Sequence, residues 1–166
     1  QGGAIGRPHI AQAMVEAGYV KYPKDAFTEY LGRNGTAYVE RVRLDPIEAV
    51  QMLVGHRVPS VMAHPTYFME GSGSDEVKKL KRTLLELKEA GLVGMEVYYA
   101  QYTPDQVQML AKMARDTGLI PCGGSDYHAA GNPGEPMPGS AGPPIESVEA
   151  LRSHVLRASP VSPRPE

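Results

Sequence analysis

The chain has 166 residues, 42% hydrophobic and 22% charged, with a formal net charge of −2. That is enough for one domain with a real core and too little for two comfortable ones. The near-neutral balance argues against nucleic-acid or membrane-surface binding driven by bulk charge, and no apolar run approaches the roughly 20 residues of a membrane span. No charged-then-apolar signal segment opens the chain, and a single cysteine, Cys122, allows no internal disulfide and fits a reducing, cytoplasmic setting.

In chain order, the first helix begins near Pro8, carries Ile10, Ala13, Met14 and Ala17 at helical spacing, and stops at Gly18. Asp45-Pro46-Ile47-Glu48 combines a cap, a proline at the first helical position and a capping-box acid, and Gly55 closes that helix. Ser74 opens a helix with Val77, Leu80, Leu84 and Leu87 inward, ended by Gly91. Thr103-Pro104-Asp105-Gln106 opens the next, with Val107, Leu110, Ala111 and Ala114 inward and Gly118 as its stop. A last helix is expected over 145–156.

Three short apolar runs, 58–63, 92–98 and 119–122, follow helix stops and have strand length. Alternating helix and strand predicts an α/β fold with a parallel sheet and crossover helices. The Gly- and Pro-rich stretch 131–144 reads as a surface loop, and 159–166 as a flexible tail after a domain spanning 1–158.

Reactive groups of parallel α/β folds gather at the carboxyl ends of strands. The first strand runs into Ala63-His64-Pro65 and the third into Gly124-Ser125-Asp126-Tyr127-His128; the strand between carries Glu96, with Tyr98, Tyr99 and Tyr102 at its end. Two imidazoles and a carboxylate converging on one rim suit Zn, Mn or Fe better than Ca or Mg. Taken singly, His64 serves equally well as a structural or solvated histidine, and Asp126 as a turn cap. His56 fits a helix C-terminus, His154 a helix surface, Cys122 a small core position, and Met52, Met95, Met109 and Met113 core filling. The Lys78-Lys79-Lys81-Arg82 cluster reads as a solvated helix face. Gly6-Arg7-Pro8-His9 places a guanidinium and an imidazole at a helix start, which suits a phosphate; the alternative is a surface charge and a capping histidine. Lys21, Lys24 and Arg33 add positive charge nearby.

Gly6-Arg7-Pro8-His9-Ile10-Ala11, Tyr30-Leu31-Gly32 with Ala37-Tyr38-Val39, Ala63-His64-Pro65, Gly94-Met95-Glu96-Val97-Tyr98-Tyr99 and Gly124-Ser125-Asp126-Tyr127-His128 occur in that order. Together they resemble the PHP (polymerase and histidinol phosphatase) family of metal-dependent phosphoesterases, most closely its small stand-alone branch acting on phosphorylated nucleosides and similar metabolites. The resemblance implies a distorted (β/α)7, TIM-like barrel with two or three divalent ions, Mn, Zn or Fe, at the carboxyl rim. It implies metal ligation by His64, Asp126 and His128, and phosphate contacts from Arg7 and His9, to which Arg33 is added on charge. Glu96 and Tyr102 are expected as supports behind these groups. Tyr102 stands where many members carry a histidine, a departure that bears on a phosphate or leaving-group contact.

The family's opening motifs (a His-x-His strand, an Asp, a further His, and a Glu-then-His segment) do not occur in these residues, so the barrel is expected to be partial. The expectation is a fragment of a phosphoesterase that hydrolyses a small phosphorylated metabolite or nucleotide through a metal-bound hydroxide, completed by a missing N-terminal segment or another copy of the chain. Alone, it is expected to bind metal weakly and turn over little. The alternatives are a non-catalytic PHP-like scaffold or partner-binding module, and a metal-dependent amide or ester hydrolase.

Overall fold

A computed structural model describes residues 5–40, 43–71, 73–128 and 133–158. The expected tail at 159–166 lies outside them, as do the first residues of the Gly/Pro-rich loop. The described residues divide into two compact units, one from within 1–43 and 127–136, the other from within 44–126 and 137–166.

The smaller unit is helical. Helix α1 (Arg7–Glu16) has its proline in the first turn, and Gly18 takes a φ of 76° beyond its end. The buried residue of α1 is Ala11, while Ile10 is 45% exposed. Ala11 packs with Val20 and Ala26, flanked by Met14, Val15, Phe27, Tyr30 and Leu31. A short α2 (Pro23–Ala26) runs into a π-helical turn, Phe27–Leu31, closed by the Gly32 N–H donating to Phe27 O at 2.7 Å. The sequence reading did not foresee α2 or this turn.

The larger unit is α/β. Helix α3 (Pro46–Gly55) starts as expected: Asp45 Oδ1 accepts from the Ile47 N–H at 2.8 Å. Only Val50 of α3 is buried, and Met52, expected in the core, is 51% exposed because it lies away from the face that meets α4. Strand β1 (Val61–Met62) is shorter than the run 58–63, since Ser60 spends its carbonyl on the Val93 and Gly94 N–H groups before the ladder begins. A 3-10 turn (Pro65–Phe68) follows, then α4 (Ser74–Ala90) with Leu80, Leu84 and Leu87 buried. At Gly91, φ is 113° and a Cβ would lie 2.5 Å from Val54 Cγ2, so only glycine lets α4 end here against α3. Strand β2 (Gly94–Tyr99), α5 (Pro104–Thr117), β3 (Ile120–Gly124) and α6 (Ile145–Ala158) complete the unit. Thr103 and Gln106 form the reciprocal cap of α5, at 3.2 and 2.8 Å.

The three strands lie parallel in the order β1-β2-β3. The expected parallel α/β architecture is therefore present, as an open sheet among the described residues. Met62, Met95, Val97 and Leu119 form the core with the α4 leucines and with Leu110, Met113 and Ala114 of α5. The β2–β3 register slips between Glu96 and Tyr98, so Val97 bulges and the strand end is re-aimed. Gly123 makes this possible: a Cβ there would meet Tyr98 O. No described helix is long and apolar enough to cross a membrane.

Candidate active site

Parallel strands place β1, β2 and β3 with their carboxyl ends on one rim, and His64, Tyr99 and Asp126 lie just there. His64 follows Met62 by two residues, Tyr99 ends β2, and Asp126 follows Gly124 by two. His64 (φ 46°) and Asp126 (φ 57°) both occupy the left-handed region. That conformation costs a non-glycine residue about 1–3 kcal/mol and persists only where the surroundings enforce it. For His64 the neighbour Pro65 also opposes it, since a residue before proline favours extended backbone. The enforcing contact is the His64 N–H donating to Glu96 Oε2 at 2.8 Å.

The same carboxylate oxygen lies 3.1 Å from His64 Nδ1, and on the far side of the ring Nε2 lies 3.4 Å from Asp126 Oδ2. Nδ1 is buried and has no hydrogen bond of good geometry, despite its closeness to Glu96. The 3.1 Å separation is proximity and not a made hydrogen bond, because Glu96 Oε2 is aimed at the backbone N–H. Glu96 itself is 9% exposed, a buried carboxylate serving one histidine.

Aromatic rings enclose this corner. Tyr67 stacks on the imidazole, centroids 5.0 Å apart and planes 19° from parallel; Tyr99 meets it edge-on at 5.1 Å, and Tyr102 meets Tyr99 edge-on at 5.0 Å. Thr66 Oγ1 donates to Tyr102 Oη at 3.2 Å. The Tyr99 phenol is pushed up to about 12, first by burial and next by the charge of Asp126, so it stays a neutral O–H. Burial also raises Tyr102. Cys122 is buried, as expected, and its thiol is raised by burial. The part of Tyr67 in this corner was not foreseen; the signal available was an aromatic pair, Tyr67-Phe68, directly after Ala-His-Pro.

The donor chemistry fits a divalent cation. Two ligands at about 2.0–2.1 Å in tetrahedral array stand roughly 3.3 Å apart, close to the observed Nε2–Oδ2 separation of 3.4 Å. A carboxylate usually stands behind the other ring nitrogen of a ligating histidine; here Glu96 lies in that place, 3.1 Å from Nδ1, but makes its hydrogen bond to the His64 backbone N–H. Among the described residues no group of three or more His, Cys, Asp or Glu side chains is arranged to hold an ion, so this is a two-donor corner.

The remaining site candidates belong to the smaller unit. The His128 N–H donates to Glu135 Oε1 at 2.6 Å, and its Nδ1 lies 4.0 Å from the same oxygen. His9 Nδ1 accepts from the Gly6 N–H at 3.0 Å, so this histidine caps α1. The Arg7 guanidinium lies 5.4 Å over the Phe27 ring. Arg33 is exposed in its turn. In the larger unit, His56 Nδ1 lies 2.8 Å from Met52 O at the end of α3.

No family model matches the chain. Among curated proteins it is 34% identical over 77% of its length to the 5'-3' exoribonuclease Rnm of Escherichia coli, covering 42% of that protein. It is 32% identical over 78% of its length to a 3',5'-nucleoside bisphosphate phosphatase of Chromobacterium violaceum, covering 44% of it. A solved Bifidobacterium adolescentis structure, provisionally assigned as a metal-dependent phosphoesterase, superposes with a TM-score of 0.66 at 25% identity, over 95% of this chain and 52% of that one. The chain thus spans about half the length of the proteins it matches. With its motifs in register along that span, the chain resembles the PHP family of metal-dependent phosphoesterases, its partial coverage fitting the family's C-terminal portion.

Proposed function

We propose that this chain supplies one side of the metal centre of a phosphoesterase that hydrolyses a small phosphorylated metabolite or nucleotide. The observation that carries this reading is the His64–Asp126 pair, 3.4 Å apart, held in left-handed backbone at the strand ends with Glu96 behind it. The names of the matched proteins, a nucleoside bisphosphate phosphatase and an exoribonuclease, both point to phosphate esters of nucleosides.

A divalent cation at such a corner supplies Lewis-acid polarisation of a phosphoryl oxygen and makes its water more acidic. The residues do the rest. His64 presents Nε2 and Asp126 presents Oδ2. Glu96 fixes the His64 backbone through its N–H, and Tyr99 keeps its proton, an O–H available to donate. On side-chain chemistry and motif alone, we assign a third ligand to His128 and phosphate contacts to Arg7, His9 and Arg33, whose guanidinium and imidazole groups suit phosphate oxygens. Tyr102 fixes the 3-10 turn through Thr66. We further propose the (β/α)7 barrel as the complete architecture, with the other metal donors coming from a segment outside these residues or from another copy of the chain.

The test is calorimetric titration of the protein with Mn or Zn, followed by assay on a generic phosphate ester. The reading expects binding that His64→Ala and Asp126→Asn remove, and hydrolysis that appears when the other donors are supplied. Metal binding that both variants leave intact would contradict it. The two-donor corner also favours a second reading, a non-catalytic PHP-like module; failure to hydrolyse any phosphate ester with all donors present would select that one.

A further inference from the structure

We propose that Tyr67 is the platform on which the base of a nucleotide substrate stacks. This deepens the phosphoesterase reading and rests on its nucleotide arm. Tyr67 is 75% exposed, yet its ring is not loose: one face lies on the His64 imidazole, 5.0 Å away and within 19° of parallel. The backbone beneath it is fixed at several points. Pro65 is fully buried, the Tyr67 N–H donates to His64 O at 2.9 Å, the Met69 N–H donates to Thr66 O at 3.1 Å, and Thr66 Oγ1 is tied to Tyr102. The outcome is an aromatic ring ordered on one side and open to water on the other.

A ring held this way has already lost much of the freedom that a binding partner would otherwise have to restrict. Its open face suits a flat π-system, and every nucleobase has one. The neighbouring chemistry sets the scale. His64 offers Nε2 toward Asp126, where a phosphate would be handled, while the phenol stacked on that imidazole would hold the base. Both ends of a single nucleotide are thereby provided for, one by charge and one by stacking. Such a platform reads no base sequence, so it favours nucleoside phosphates and RNA ends over sugar phosphates of any kind.

The chain contains no tryptophan, so Tyr67→Trp introduces a single indole at the platform. With Mn present, adenosine 5'-phosphate is expected to quench its emission saturably, and ribose 5-phosphate is not. Tyr19→Trp, at a position 73% exposed in the other unit, controls for collisional quenching. Equal quenching of the two indoles, or of one by both phosphates, overturns the proposal. In the metal-loaded enzyme, Tyr67→Ala is expected to raise KM for the nucleotide roughly 5- to 150-fold, the range one base–aromatic stack supplies. Its loss of kcat/KM on the nucleotide should exceed its loss on ribose 5-phosphate by at least about fivefold, and Tyr67→Phe should behave as wild type. Equal losses on both substrates would make Tyr67 a mere support for His64 and overturn the proposal. Absence of turnover on either phosphate in wild type would instead count against the phosphoesterase reading and leave the fluorescence titration to decide the platform.

Discussion

The chain enters the left-handed region in two kinds of place, and the contrast separates scaffold from site. At the ends of α4 and α5 it does so with glycine, Gly91 at φ 113° and Gly118 at φ 67°, where no side chain opposes the turn. At the rim it does so with His64 and Asp126, residues for which the same backbone is strained. Arg57, just beyond α3, is an intermediate case, a non-glycine helix end at φ 59°. Glycine at a helix stop is what stability alone would select. A histidine and an aspartate in that conformation, facing each other across 3.4 Å, are what the proposed metal site would call for.

Substitutions can break this contrast. The largest effect is expected from Asp126→Ala. Loss of a proposed direct ligand should lower Mn affinity by more than about 100-fold, beyond the 10- to 100-fold typical of an outer partner, as read by calorimetry with the fold checked by circular dichroism. Glu96→Gln should fall within that 10- to 100-fold range, since the amide can still take the His64 N–H but not bring the charge. Gly91→Ala puts a Cβ against Val54 in forbidden backbone and should destabilise by about 1–3 kcal/mol in urea denaturation without touching metal affinity. His64→Gly relieves the strain but gives up the Tyr67 and Tyr99 ring contacts and adds chain entropy to the unfolded state, so it should be more stable than His64→Ala while both lose metal binding. A His64→Gly variant no more stable than His64→Ala would remove the strain argument.

A smaller effect comes from the α4–α5 surface. Asp116 accepts hydrogen bonds from Lys112 and Lys81, both at 2.8 Å, which hold its carboxyl down at about 2. A depressed carboxyl contributes stability that is complete above its ordinary value near 3.8 and is lost as pH falls toward 2. Asp116→Asn should flatten the stability profile in that window, because a loss that is small at neutral pH, as expected of an exposed ion pair, vanishes as pH falls toward 2.

How far the sequence foretold this structure follows the same division. Helix ends were legible because their chemistry is local: Pro8, Asp45-Pro46, Thr103-Pro104, Gly91 and Gly118 each stop or start a helix through groups a few residues away. The α4 stripe Leu80, Leu84 and Leu87 was legible from its period. The π-helical turn at Phe27–Leu31 was not, although Pro23 at a helix start and apolar residues at 26, 27, 30 and 31 marked a helical segment there. Met52 misled because an all-apolar α3 hides which face is covered. His64 and Asp126 could be placed on one rim by topology alone. Their left-handed backbone, the Glu96 contact across 32 residues and the Tyr67 stack arise from tertiary packing, which no local pattern encodes.

The most direct test is anomalous diffraction at the manganese edge from crystals of the protein grown with Mn. The account predicts a peak bonded to both His64 Nε2 and Asp126 Oδ2, at about 2.0–2.2 Å from each. A manganese peak that spares both atoms, or no peak at the strand ends, would contradict it.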